Sequence, residues 1–219
     1  MNKSKLILII AEIVILILLS LFLLGINSAY AIYEDGTEPV LTEYKSQESA
    51  DFLWEELSKY SPNDMITAGV MGYFWHESFL RSDGIAGWPI FDISQGCNSS
   101  LAFTTKVDEG LHDGSSYEYF KHCVRDIYGG YGLGQWLSEH YLEHFYGFVR
   151  EREGSIGDAR LQCEFIFESM QRHEKLWNIL MEAKAPSECG MAIAVWYDGS
   201  SMPGAIASHA ERYYEEYVK

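Results

Sequence analysis

Positive charge is scarce in this 219-residue chain: 16 Lys and Arg stand against 32 Asp and Glu, a net charge of −16. No window holds enough basic residues to neutralise several adjacent phosphates, as binding to a nucleic-acid backbone demands, so DNA and RNA are excluded as expected partners. Prolines number only 5, and no repeat or low-complexity segment breaks the chain, which excludes a collagen and a disordered tail. A single apolar run approaches membrane length, so a multi-span membrane protein is excluded too. What is abundant is aromatic: 15 Tyr, 11 Phe and 6 Trp can bury the core of one domain in the residues beyond that run. The acidic surface suits an uncharged polymer, such as a glycan, better than a phosphate chain.

The apolar run extends from Leu6 to Ile26, is broken only by Glu12 and Ser20, and follows Lys3 and Lys5. It is longer than a signal-peptide core and matches a spanning helix, yet Ala29 and Ala31 after it form an AxA-type cleavage site. Residues 1–31 therefore read as a signal peptide or a signal-anchor helix. Either outcome places the rest outside the cytoplasm, secreted or held to the membrane by one N-terminal helix. Residues 32–48, with Gly36 and Pro39 and no apolar period, read as a tether, and 49–219 as the folded domain. Cys97, Cys123, Cys163 and Cys189 all fall in the exported part, where disulfides persist, and no pair has CxxC spacing. One or two structural bridges are expected, with Cys97–Cys123 the favoured pairing and free buried thiols the alternative.

Helical periodicity dominates the domain. Ala50 to Tyr60 predicts a short amphipathic helix, and Ser61 followed by Pro62 predicts the cap and first position of a second helix reaching Leu80. That second helix is apolar on nearly every side and belongs at the centre, with Gly69 and Gly72 admitting another backbone closely. Between Arg81 and Gly114, the β-prone pieces WPIFDI and LAFTTKV predict loops and a small hairpin. Helices return over Tyr117–Tyr128, Ser138–Glu153, Asp158–Ala183, Pro186–Tyr197 and Ile206–Tyr217. The class is mainly α with a small β or loop insert.

Glu77 is a charged residue near the end of that apolar helix, beside Phe74, Trp75, Phe79 and Leu80. Desolvation and the negative end of the helix dipole both raise its pKa, which suits a general acid near neutral pH. The second element is GGYGLGQW at Gly129 to Trp136. Four glycines in six positions permit a tight turn against which a polymer can lie, Gln135 offers donor and acceptor, and Tyr131 and Trp136 offer flat faces to sugar rings. It lacks the Lys-Ser/Thr pair of a phosphate loop. A rival motif is HxxEH at His140, Glu143 and His144, an inverted zinc-protease pattern whose third ligand would be Glu164, Glu168 or His173.

Helix, ESFL at Glu77 to Leu80, a loop region, then YGLGQW at Tyr131 to Trp136 resembles the phage tail lysozyme family and, more distantly, the lytic transglycosylases. AGVMGYF at Ala68 to Phe74, IGDARLQCEFI at Ile156 to Ile166, AVWYDGSS at Ala194 to Ser201 and SHAERYYEEY near the end agree with it. Tyr73 departs from the asparagine usual in the phage group, and Phe79 from the glycine of ESG. The resemblance implies an α+β lysozyme-like fold, peptidoglycan glycan strands as substrate, Glu77 as the catalytic acid, and Gln135 and Tyr197 beside the groove. It implies no cofactor and no metal. A second carboxylate would decide between hydrolysis and transglycosylation, and Asp83, Asp92, Asp108 and Asp113 in the insert are its candidates. A wall-binding module that has lost the reaction is the alternative from another class.

Overall fold

The nearly uniform apolarity of residues 64–78 leaves no face suited to water, and the chain answers by surrounding that helix with the others. In the computed structural model, which describes residues 48–85, 100–111, 114–200 and 202–219, the helices in chain order are α1 (Ala50–Ser58), α2 (Asp64–Ser78), α3 (Ser100–Asp108), α4 (Ser116–His122), α5 (Glu139–Glu151), α6 (Ala159–Gln171), α7 (Glu174–Glu182), α8 (Pro186–Ile193) and α9 (Pro203–Tyr217). Two π-helical segments, Cys123–Tyr128 and Ala194–Asp198, continue α4 and α8. The expected signal or anchor helix and most of the tether lie outside the described residues. Among the described residues no helix is long and apolar enough to cross a membrane.

Asn63 opens α2 by accepting the Ile66 N–H at 3.1 Å, and Asp64 in the first turn complements the helix dipole. Ser61 is not the cap: its hydroxyl donates to the Asn63 carbonyl, and Pro62 lies before the helix. From Ile66 to Phe74 every residue is buried, mainly against α8 and α9. The close approach expected at the glycines is real. A Cβ on Gly69 would stand 2.8 Å from Cys189 Cβ, and one on Gly72 would stand 2.7 Å from both Ala210 N and Ile206 O. The second clash is with backbone, which cannot rotate away. Gly72→Ala is therefore expected to destabilise the domain by about 1–3 kcal/mol despite alanine's better helix propensity, read as a lower urea midpoint.

The insert differs from its expectation. LAFTTKV is not a strand but most of α3, with Phe103, Thr104 and Val107 buried along one stripe, so packing overrides the strand preference of its threonines. WPIFDI lies outside the described residues. No strand forms among the described residues, and the β character is limited to isolated bridges joining Ile85 with Tyr131 and Tyr131 with Trp136. The helix expected over Asp158–Ala183 is two helices, because His173 breaks the run and caps α7, its Nδ1 accepting the Leu176 N–H. Cys163 and Cys189 are buried free thiols and form no bridge, whereas the favoured partner of Cys123, Cys97, lies outside the described residues.

Candidate active site

Glu77 is the penultimate residue of α2, half-buried where that helix ends. Burial, and secondly the negative charge of Asp198, push its carboxyl up to about 7. The chain then turns through two successive left-handed residues, Phe79 at φ 52° and Leu80 at φ 63°. The turn buries Leu80 and leaves Phe79 62% exposed beside the end of the helix.

The facing wall is the glycine-rich segment, closed on itself as a narrow turn. The Tyr131 and Trp136 backbones exchange N–H to carbonyl bonds at 3.3 and 3.1 Å, and the Gly132 N–H donates to Gly84 O at 2.8 Å. Gly132 sits at φ 77°, where a Cβ would lie 2.7 Å from Gln162 Oε1. That buried Gln162 is the clasp of the turn. Its Oε1 accepts the Leu133 N–H at 2.7 Å, and its Nε2 donates to Ser82 O and Ile156 O at 2.7 and 2.6 Å. A second clasp comes from α2: the Tyr73 hydroxyl donates to Gly134 O at 2.6 Å. The residue that departs from the resemblance thus ties the helix carrying Glu77 to the turn opposite it.

Between these walls lies a cleft of about 450 Å³ lined by Glu77, Gln135, Trp136, Tyr141, Tyr197 and Asp198, among others. Three sequence-selected residues meet Glu77 there, with different duties from those expected. Gln135, at φ 46°, donates its amide protons to Gly84 O at 3.0 Å and Gly132 O at 2.8 Å, which leaves Oε1 as its accepting atom. Trp136, 3% exposed, is a wall rather than a free platform; its Nε1–H donates to the Tyr197 hydroxyl at 2.9 Å. Tyr197 is buried, and its hydroxyl also bonds Ser169 Oγ at 2.7 Å. Tyr131 corrects the expectation outright, because a ring with no exposed surface stacks on no sugar. It packs on Phe103 and Phe120, with its hydroxyl 2.6 Å from Thr104 Oγ1.

The two described carboxylates selected from the insert, Asp83 and Asp108, do not line this cleft. Asp83 is buried 4.0 Å from the Arg81 guanidinium and lines another cavity. Asp108 is structural: it accepts from Arg150 and from the Ile156 N–H, both at 3.1 Å, and from the Ser155 hydroxyl. Asp92 and Asp113 lie outside the described residues. Among the described residues, the acid that shares the cleft with Glu77 is Asp198, which lies within AVWYDGSS and is not one of the candidates expected from the sequence. Burial raises its pKa, opposed by His76 and by the Tyr73 hydroxyl. Its one sequence signal is its place before Gly199, which turns left-handed at φ 72° and ends the helix there.

The HxxEH residues occupy another face. His144 packs on Phe165 and touches Glu168 at 3.4 Å, Glu143 is exposed, and Glu164 is paired with Arg152. Among the described residues no three His, Cys, Asp or Glu are grouped to hold a metal ion.

No curated protein and no solved structure matches the chain. The model of one family does, the phage tail lysozymes, over residues 45–217. This span takes in α1 to α9 and both walls of the cleft. The chain belongs to the phage tail lysozyme family, and membership implies lysozyme-like action on peptidoglycan.

Proposed function

We propose that the protein cleaves the glycan strand of peptidoglycan between N-acetylmuramic acid and N-acetylglucosamine, with Glu77 as the general acid. The observation that carries this reading is a half-buried carboxyl with its pKa near 7 on the wall of a cleft large enough for sugar rings. Near neutral pH a large fraction of Glu77 holds its proton, ready for the glycosidic oxygen. Asp198 is the complementary group: burial raises its pKa, His76 opposes the rise, and in its charged form it stabilises the positive charge that develops at the sugar as the bond breaks. Gln135 Oε1 accepts from an N-acetyl amide or a hydroxyl of the bound strand. Mass spectrometry of purified peptidoglycan after digestion tests the reading. Reducing muropeptides mean hydrolysis and anhydro-muropeptides mean transglycosylation; cleaved stem peptides or intact strands would reject it.

Asp198→Asn is expected to slow cleavage by about 100-fold, the scale of removing one group that stabilises transition-state charge. It also carries an electrostatic signature. In the wild type the rate falls as pH rises through about 7, because the Glu77 proton is lost. Since the Asp198 charge helps hold that proton, its removal moves the descending limb of the pH profile to lower pH. A limb that stays in place would detach Asp198 from Glu77.

A further inference from the structure

The HxxEH residues have a place in the fold that a zinc site does not explain. His140 and His144 on α5, with Arg172, His173 and Lys175 at the α6–α7 junction, line a cavity of about 530 Å³. Five of the chain's 23 Lys, Arg and His residues thus gather at one cavity of a protein with net charge −16. His173 Nδ1 accepts the Leu176 N–H, so its neutral ring carries the proton on Nε2 and presents a donor. Glu168 holds Arg172, and Glu174 also lines the wall, so the fixed charges are nearly balanced. An incoming carboxylate would be held by the N–H donors gathered there, not by a large surrounding field.

This cavity adjoins the cleft of Glu77. Tyr141 lines both. Its ring packs 4.9 Å from that of Tyr197, and the Tyr197 hydroxyl bonds Ser169 Oγ, which belongs to the second cavity. Beyond it, Lys175 Nζ stands 3.7 Å over the ring of Trp196, itself 39% exposed. One layer of side chains therefore separates a cleft suited to uncharged sugars from a depression suited to anions.

We infer that this second cavity receives the carboxylate-bearing peptide branch of the strand whose sugars occupy the Glu77 cleft. The inference rests on the proposed reading of the cleft, since peptidoglycan is a neutral glycan with short acidic peptides on every second sugar. An anionic branch is repelled by most of this surface and finds donors beside the cleft. Arg172 and Lys175 are then specificity-determining residues, which choose peptide-bearing strands over bare ones.

The test compares the wild type with the full chain carrying Arg172→Gln and Lys175→Gln together. Two soluble substrates are used: glycan strands with their peptides, and the same strands after an amidase has removed them. The wild type is expected to prefer peptide-bearing strands by about tenfold in kcat/KM, chiefly through KM, and the double variant to show almost no preference. Circular dichroism checks that the variant keeps its helices. A preference that survives the substitutions overturns the inference. Calorimetry with a disaccharide tetrapeptide and with the peptide-free disaccharide, on protein carrying Glu77→Gln, separates the two readings. If neither strand is cleaved, the proposed function fails, while the binding data still decide the cavity. A roughly tenfold affinity advantage for the tetrapeptide, lost with Arg172 and Lys175, supports it, and equal affinities reject it.

Discussion

Glu77→Gln is expected to abolish cleavage, by about 100- to 10,000-fold, while glycan binding and the helical spectrum remain. The amide keeps the shape of the side chain and has no proton to give. The same substitution is expected to stabilise the protein in alkaline solution. In the fold the carboxyl titrates at about 7, above its ordinary value of 4.5, so the folded chain holds the proton more tightly than the unfolded one. The resulting support for the fold is complete below about pH 4.5, declines as pH rises, and is gone above about 7. Glutamine does not titrate. Relative to wild type the variant should therefore gain stability across that interval, reaching about 1 kcal/mol once partial solvent screening is allowed for. Urea midpoints at pH 5 and pH 8, measured beside the cleavage rate, check both halves. Wild-type turnover, or a midpoint difference that does not grow with pH, would remove Glu77 from its role.

Gln162→Leu is expected to be the most disruptive substitution remote from the cleft. It leaves the Leu133 N–H and the Ser82 and Ile156 carbonyls buried without this partner, at about 1–3 kcal/mol each. The sum, roughly 3–9 kcal/mol, rivals the entire stability of an ordinary domain. Since the same amide pins the glycine-rich turn, molecules that remain folded should have lost the wall opposite Glu77. Gln162→Glu is no milder: it still accepts from Leu133, but it must bury a carboxylate oxygen against two carbonyl oxygens or take up a proton to donate to one of them. Both variants are expected to melt well below the wild type and to cleave more slowly. A leucine variant that melts within a few degrees of wild type would show that the turn holds itself.

Local chemistry made part of the site legible. Glu77 was visible because one acid in an apolar helix is an anomaly at any level of description, and Gly69 and Gly72 because only close approach favours glycine inside such a helix. Tyr131 was misread for a physical reason. Glycine neighbours open space around the backbone, but whether a ring fills that space from inside or outside depends on Phe103 and Phe120, which come from other helices. The cap at Asn63 rather than Ser61 was decided by two residues of register, since either side chain suits the position. Gln162 gave no signal, being one more polar residue on an amphipathic helix until its three partners converge. Asp198 stayed hidden because an acid before a glycine is common at helix ends, and its cleft is made by residues far away in sequence.

Both walls of the cleft also depend on a helix that carries one residue more per turn than its neighbours. Cys123–Tyr128 leads into Gly129, and Ala194–Asp198 delivers Tyr197 and Asp198; each is a π-helical segment grafted onto an α-helix. Such a segment is an α-helix with a single residue inserted. Excising one residue between Ala194 and Tyr197 would let the ordinary winding resume: five residues at the wider winding and four at about 100° each carry the chain through nearly the same angle, so Asp198 would keep its face of the helix. The same deletion one turn earlier, within the α-helical part of α8, would instead turn everything after it by about 100°. The wide turn is thus the one place in this helix where a codon can be lost with the acid still directed at the cleft.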